Sequence, residues 1–212
     1  MAKKREKASG GRIPAAIVKS PRHAAGRAFA RRFARGAGVW VFGYGSLMWR
    51  PGFAFGASRP GRISGYHRAL CVYSVRYRGT RTRPGLVLGL DRGGSCVGRV
   101  FRVAARNVKR TLAYLHEREM PHRVYDPSWL RVMTPKGPVR AYVFVVRRGH
   151  PQYTGRLSLR RTVALVLAGR GIGGTCLDYL RETVRHMDEL GVADTALHRV
   201  LARAEMAVKR RR

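Results

Sequence analysis

Short apolar segments, separated by turns rich in glycine and proline, occupy the middle of this 212-residue chain. Branched and aromatic side chains dominate these segments, and this length and composition favour β-strands. The sequence predicts strands at residues 39–42, 63–77, 86–90, 97–103, 129–133 and 139–146. The first strand runs into a glycine-rich loop, residues 43–46, and turns at residues 83–85 and 135–138 separate later strands.

A helical period interrupts this pattern once and then returns in the last third of the chain. The first helix is predicted from Asn107 to about Met120, because Pro121 cannot continue it. A second is predicted at residues 159–168, directly before Gly169.

Two further helices have recognisable starts. Thr175 with Asp178 three positions later forms a capping box, and Gly191 ends the helix that follows. Asp194 or Thr195 can cap a last helix. Strands that come first and helices that come later, with one helix among the strands, indicate an α+β fold rather than repeated βαβ units.

The two ends of the chain are basic and lack apolar periodicity. Residues 1–36 contain eleven lysines and arginines and one acid, Glu6, so we expect a basic, disordered arm. A mitochondrial-type transit peptide is the alternative, because the segment is rich in arginine and poor in acids. Residues 209–212 are predicted to form a basic tail, which leaves residues 37–208 as one folded domain.

The net charge of +33 arises from 44 basic and 11 acidic residues. Only seven of the basic residues are lysines, and the excess of arginine over lysine extends over the whole chain, as expected of a bias in composition. A nucleic-acid-binding protein is the alternative, but no zinc-finger spacing or RNA-binding aromatic motif accompanies the charge. We therefore expect no specific nucleic-acid partner, although nonspecific binding of polyanions at low salt follows from the charge.

Cysteine usage and hydropathy bear on location. Cys71, Cys96 and Cys176 are odd in number and form no C-x-x-C pair, which favours a reducing compartment over a disulfide framework. No apolar run approaches the ~18 residues that span a bilayer, and the basic start lacks the apolar core of a secretory leader. The sequence thus predicts a cytoplasmic protein with no membrane partner.

One carboxylate stands out on the predicted helix at residues 107–120. A turn of roughly 100° per residue places Val108, Leu112, Leu115 and Glu119 on one stripe, with Glu117 on the opposite, solvated face. A carboxylate on an apolar stripe needs a partner or a raised pKa. Glu119 is therefore either half of a structural ion pair or a general acid/base, and periodicity leaves both open.

Three motifs are excluded on spacing. His116 and His122 are six residues apart with Pro121 between them, so they cannot form a helical metal site of the H-E-x-x-H type. Ser46 lacks the G-x-S-x-G context of a hydrolase nucleophile, and the loop around Gly43 lacks the third glycine of a dinucleotide fingerprint. We expect no metal and no cofactor.

The segment F-G-Y-G-S-L-M-W-R-P, residues 42–51, closely resembles the opening motif of the ChaC-like, glutathione-specific γ-glutamylcyclotransferases. Further segments similar to that family follow in its order: residues 65–68, 74–85, 114–119, 150–155, 178–180 and 190–194. The resemblance spans residues 39–204. It departs at Thr175 and Cys176, where the family more often has a small residue and asparagine, and residues 1–36 are additional.

This resemblance implies a fold, a reaction and a site. The fold is a small mixed-strand β-barrel with surrounding helices, and the reaction is the internal cyclisation of glutathione to 5-oxoproline and cysteinyl-glycine. The family's catalytic carboxylate corresponds to Glu119, and the substrate-binding residues expected beside it are Val41, Phe42, Gly43, Tyr44, Gly45, Ser46, Leu47, Arg78 and Tyr153. Two alternatives stay open: other γ-glutamyl amino acids or amines as substrates, and an inactive cyclotransferase fold in a basic RNA-associated protein.

Overall fold

The structure is a computed structural model and describes residues 38–210. Its strands are β1 Val39–Gly43, β2 Ala57–Ser74, β3 Gly85–Val103, β4 Tyr125–Thr134, β5 Gly137–Val146, β6 Arg170–Gly171 and β7 Gly174–Thr175. Its α-helices are α1 Ala105–Glu119, α2 Leu159–Ala168, α3 Cys176–Glu189 and α4 Thr195–Lys209, and a 3-10 helix covers Ser46–Met48. The predicted arm at residues 1–36 lies outside the described residues, and Lys209, the first residue of the predicted tail, still belongs to α4.

Five strands close into a barrel in the order β1-β3-β2-β4-β5. Strand β1 is antiparallel to β3 but parallel to β5, where Trp40 pairs with Ala141, so the barrel is mixed. The other pairings are antiparallel. The predicted α+β class and mixed-strand barrel are confirmed.

The largest difference between the predicted and the observed strands is in β3. The sequence predicts two strands there, because the polar residues 91–95 contain two glycines. The structure shows one strand, since β2 pairs with it along nearly its whole length, with Arg92 opposite Tyr66 and Ser95 opposite Ser64. Strand β2 likewise starts at Ala57, earlier than predicted, because polar residues near its start still pair with β3. Neighbouring backbone, rather than local apolar pattern, decides the length of both strands.

The helices agree closely with their predicted caps. The Thr175 hydroxyl accepts a hydrogen bond from the Asp178 amide at 3.0 Å, and the Asp194 carboxylate accepts one from the Leu197 amide at 3.2 Å. Gly191 has φ of +65°, the left-handed conformation expected just after a helix. Among residues 38–210, no helix is both long and apolar enough to cross a membrane.

Apolar side chains form two buried groups. One joins the barrel to α2, α3 and α4 and includes Phe42, Leu165 and Leu180. The other joins the barrel to α1 and includes Leu115 and Phe144. Members of both groups line a single cavity, which holds the residues described next.

Candidate active site

A cavity of about 820 Å³ opens where the loop after β1, the end of β2, the end of α1 and one face of α3 meet. This volume lies in the range of ordinary small-molecule sites. Four residues of the predicted loop line it: Tyr44, Gly45, Ser46 and Leu47.

Close packing and a buried arginine fix the conformation of this loop. A β-carbon on Gly43 would lie 2.9 Å from Cβ of Leu47, so the chain can turn there only with glycine. Arg68, which is 7% exposed, donates from Nε to the Tyr44 carbonyl at 2.5 Å and from an Nη to the Val97 carbonyl at 2.6 Å. It also pairs with Asp194 at 3.5 Å. The loop is therefore held from behind by the barrel and by the start of α4.

The first residues of the predicted binding segment have a different place. Val41 and Phe42 are fully buried in the barrel, and neither they nor Gly43 line the cavity. Their contribution to a site is to position the loop that follows them.

Glu119, the last residue of α1, lies at the cavity wall with 21% of its side chain exposed. Val108, Leu112 and Leu115 are buried on the same helix, and Glu117 is exposed. The predicted separation of the two glutamates onto opposite faces of the helix is confirmed.

Burial raises the pKa of Glu119 above its ordinary value, and the charge of Arg118 and its hydrogen bond offset only part of that rise. Desolvation also raises the pKa of Tyr44 and of Tyr125, with Glu119 contributing to both. The two phenols therefore stay protonated near neutral pH. Tyr125 donates its hydroxyl proton to the Leu88 carbonyl at 2.8 Å.

Arg118 connects Glu119 to the loop after β1. Its Nε lies 3.1 Å from Glu119 Oε1, and one Nη donates to the Ser46 hydroxyl at 2.9 Å. The other Nη donates to the Arg50 carbonyl at 2.6 Å and to the Tyr114 hydroxyl at 3.0 Å. One guanidinium thus fixes the distance between the carboxylate and the loop. Arg118 is not among the predicted site residues, although it stands directly before Glu119 in a segment similar to the family.

Arg78 also lines the cavity, but its guanidinium contacts the protein. It donates to the carbonyl of Gly173, and its Cζ lies 5.4 Å from the centre of the Tyr179 ring. These contacts connect the segment after β2 to the turn between β6 and β7 and to α3.

Tyr153 is not brought to the cavity. Its hydroxyl donates to Asp91 Oδ2 at 2.7 Å, and Arg148 Nε lies 2.7 Å from Asp91 Oδ1. The residue beside it, Gln152, lines the cavity instead. Gln152 lies in a turn, and Tyr153 after it forms a bridge with Val72. Sequence alone does not decide which of the two side chains such a turn directs to the cavity.

Two rims of the cavity carry further polar side chains that are not among the predicted site residues. On the rim formed by α3, His186 stacks on Trp49 with ring centres 4.7 Å apart, and Arg185 pairs with Glu182 at 2.7 Å. On the rim at the end of β2 lie Ser74, Arg76, His122 and Gln152. Within residues 38–210, no group of three or more histidine, cysteine, aspartate or glutamate side chains is arranged to hold a metal ion.

Comparison with known proteins places this chain in a family. The ChaC-like protein family matches residues 39–208. The glutathione-specific γ-glutamylcyclotransferase of Escherichia coli is 35% identical over 164 residues, which are 77% of this chain and 71% of that protein. Human glutathione-specific γ-glutamylcyclotransferase 1 is 34% identical over 158 residues, 72% of this chain and 71% of its own length.

A solved structure shares the fold at lower identity. A yeast γ-glutamyl cyclotransferase described as specific to glutathione superposes with a TM-score of 0.74 at 18% identity, over 80% of this chain and 96% of its own. The family match, which runs from β1 into α4, confirms the resemblance seen in the sequence motifs. The chain belongs to the ChaC-like family.

Proposed function

We propose that this protein is a glutathione-specific γ-glutamylcyclotransferase, with Glu119 as its general acid/base. The observation that carries the proposal is a carboxylate with a raised pKa in the wall of a cavity lined by the family's Y-G-S-L loop. The names of the bacterial and human relatives support glutathione as the substrate.

The reaction is an internal aminolysis. The α-amino nitrogen of the γ-glutamyl group attacks its own γ-carbonyl carbon, a five-membered ring forms, and the bond to the cysteinyl nitrogen breaks. The products are 5-oxoproline and cysteinyl-glycine, and no water is consumed. Because the nucleophile belongs to the substrate, the protein needs neither a nucleophilic side chain nor a cofactor.

Glu119 carries the proton through both halves of this reaction. The substrate's ammonium must lose a proton before its nitrogen can attack, and the departing nitrogen must gain one. A single carboxylate beside both atoms can take the first proton and return it as the second. A pKa raised by burial brings the carboxylate closer in basicity to the groups that it serves.

The loop Tyr44–Gly45–Ser46–Leu47 binds and bends the γ-glutamyl chain. The amides at the start of the 3-10 helix Ser46–Met48 have no acceptor within that helix, so they can receive the substrate's carboxylate or the developing oxyanion. Val41, Phe42 and Gly43 hold the loop in place from within the barrel. Holding the chain folded towards ring closure supplies several kcal/mol through orientation.

Charge in the cavity favours an acidic substrate. Arg50, Arg76, Arg78, Arg118 and Arg185 all line it, against Glu119 and Glu182. Glutathione carries two carboxylates and one ammonium near neutral pH, and excess positive charge in a cleft attracts such an anion. Arg78, held by backbone carbonyls at one wall, would act mainly through its charge.

Other aspects of the proposal follow from the sequence. The three cysteines are buried and free, in keeping with a reducing, cytoplasmic location. Residues 37–208 form the catalytic domain, the basic arm and tail flank it, and the cellular partner is a small molecule with no specific nucleic acid.

Purified protein incubated with glutathione and, separately, with γ-glutamyl-alanine tests the function by mass spectrometry of the products. We expect equal amounts of 5-oxoproline and cysteinyl-glycine from glutathione and little product from the alternative. Product from γ-glutamyl-alanine alone would show that the substrates are other γ-glutamyl compounds and not glutathione. Absence of 5-oxoproline from both would favour the inactive fold.

A further inference from the structure

Two buried polar atoms on the rim at the end of β2 have no hydrogen-bond partner among residues 38–210. They are Nε2 of His122 and Oε1 of Gln152, and both residues line the cavity. Buried polar atoms in folded proteins are nearly always bonded, because an unmade hydrogen bond lowers stability. Two such atoms on residues that line one cavity indicate that these groups bind a ligand.

The orientation of Gln152 follows from its other contacts. Its Nε2 lies 2.7 Å from the Tyr73 carbonyl oxygen, and only the nitrogen end of the amide can donate there. The Tyr73 amide in turn donates to the Gln152 carbonyl at 2.8 Å. Oε1 is therefore a fixed acceptor on a side chain that is only 2% exposed. It needs a donor, such as a peptide N–H.

His122 and Arg76 supply the complementary chemistry. Burial lowers the pKa of His122, and the nearby charge of Arg76 lowers it further, so the imidazole is neutral near neutral pH. Its Nε2 can then donate one proton to an oxygen. Arg76 is exposed and makes no ion pair within the described part of the chain. The Arg76 guanidinium lies 5.7 Å from the centre of the Tyr77 ring and has no carboxylate partner among the described residues. A neutral donor beside such a guanidinium suits a carboxylate.

The rim formed by α3 is less suited to a carboxylate. Arg185 lies 2.7 Å from Glu182 and 2.7 Å from Glu189, so its charge is already balanced. Glu182 itself lines that rim and would repel an anion.

We propose that Arg76, His122 and Gln152 form the subsite for the cysteinyl-glycine half of the substrate. Gln152 Oε1 accepts the N–H of the cysteinyl-glycine peptide bond, and His122 with Arg76 holds the terminal carboxylate. The assignment rests on the proposed function, because it takes glutathione as the substrate. With the γ-glutamyl half at Tyr44–Leu47 and Glu119, this assignment directs the cysteinyl-glycine half towards the rim at the end of β2.

Pairing a change in the substrate with a change in the protein tests the carboxylate contact. Wild-type protein should use glutathione with a kcat/KM about tenfold to a hundredfold above that for its glycine ethyl ester, since a charge-assisted contact is lost. In Arg76→Gln and in His122→Leu, the ratio of kcat/KM for glutathione to kcat/KM for the ester should fall towards one. Arg50 lines the cavity near Glu182, on the rim formed by α3. Arg50→Gln therefore removes the same charge from the other rim and should keep the preference.

The peptide contact is tested in the same way with γ-glutamyl-cysteinyl-sarcosine, in which a methyl group replaces the N–H. Wild type should prefer glutathione by about tenfold, and Gln152→Leu should lose that preference. Because Gln152 also bonds Tyr73, circular dichroism melting checks that the variant is folded. If it does not fold, the Arg76 and His122 variants still decide the subsite.

Failure of the subsite is distinguishable from failure of the proposed function. If wild type forms 5-oxoproline from glutathione but prefers neither acid over ester nor N–H over N-methyl, the subsite assignment is wrong. It is equally wrong if the preferences survive in all three variants. If wild type forms no 5-oxoproline, the function fails, and calorimetric titration with glutathione and its ester decides the subsite. Equal affinities, or no binding, would then overturn it.

Discussion

The cavity wall at Glu119 and the flank of the barrel at Asp91 contain the same pair of groups, a partly buried carboxylate beside an arginine, with opposite electrostatic results. At Asp91, burial raises the pKa, but hydrogen bonds from Arg148, Tyr153 and the Arg92 amide outweigh it and leave the pKa below its usual value. At Glu119, burial again raises the pKa, and Arg118 alone cannot cancel the rise.

The number of donors therefore separates Asp91 from the proposed general acid/base, Glu119. Asp91 accepts from three groups at 2.7 to 2.8 Å and has little capacity left. Among the described residues, Glu119 has Arg118 as its one cationic partner, and its side chain faces a cavity. An under-bonded carboxylate can exchange protons with a ligand, whereas a fully bonded one cannot do so without breaking native contacts.

The change with the largest expected effect is Glu119→Gln. The amide keeps the shape of the side chain but cannot accept and return a proton, so the rate of 5-oxoproline formation should fall about 10²- to 10⁴-fold. Initial rates at saturating glutathione measure this. The protein should melt no lower than wild type near neutral pH, because the variant no longer buries a carboxylate whose charged form is disfavoured. A rate within a few fold of wild type would contradict the assigned role.

Arg118→Gln should have the next largest effect. Loss of the guanidinium removes the contact that lowers the pKa of Glu119, so that pKa should rise further. The proposed mechanism requires the base form of Glu119, so the acidic limb of kcat/KM should move to higher pH. The release of Ser46 should also lower kcat by about tenfold through lost orientation.

The matched control for Arg118→Gln is Arg185→Gln, which removes an arginine that lines the cavity but pairs with other carboxylates. Its acidic limb should stay where the wild-type limb lies. If the acidic limb of Arg118→Gln stays in place or moves to lower pH, the contact with Arg118 does not lower the pKa of Glu119.

Tyr153→Phe sharpens the comparison from the structural side. It removes one of the three donors to Asp91, so the free energy of unfolding should fall by about 1–2 kcal/mol near neutral pH. A carboxylate with a lowered pKa stabilises the fold above its unfolded pKa and loses that contribution as the pH falls through its folded pKa. The deficit of the variant should therefore shrink in acid. Denaturant unfolding of wild type and variant at several pH values measures this difference in stability. A large loss of turnover with unchanged stability would instead indicate that Tyr153 contacts the substrate.

The smallest expected effect is that of Glu117→Gln. Glu117 is exposed on the outer face of α1, two residues from Glu119. Both turnover and melting temperature should stay close to wild type. A substantial loss of turnover would show that charge near the end of α1, rather than the position of Glu119, controls the rate.

Local sequence predicted the helices and the face of each residue on α1 well, because caps, proline stops and apolar periodicity act within a few residues. The placement of Glu119 on the inner face is such a local result. The single long strand β3 was not predicted, since the polar residues 91–95 are held by pairing with β2 and not by their own preference.

Contacts between distant segments could not be read from the sequence. Arg118 reaches Ser46 across 72 residues and Arg50 across 68, and Gln152 reaches Tyr73 across 79. Arg118, Gln152 and Tyr153 all lie in segments that are similar to the family's motifs. The motifs did not show that Gln152 faces the cavity while Tyr153 bonds Asp91, because that choice depends on how the barrel closes.

Direct titration of Glu119 and Asp91 tests the central contrast most simply. Carbon-13 NMR of protein labelled at the side-chain carboxyl groups, assigned with Glu119→Gln and Asp91→Asn, gives both pKa values in one series. The account predicts a pKa above the usual glutamate range for Glu119 and below the usual aspartate range for Asp91. A Glu119 pKa at or below the ordinary glutamate value would contradict its role as a carboxylate tuned by burial for proton transfer.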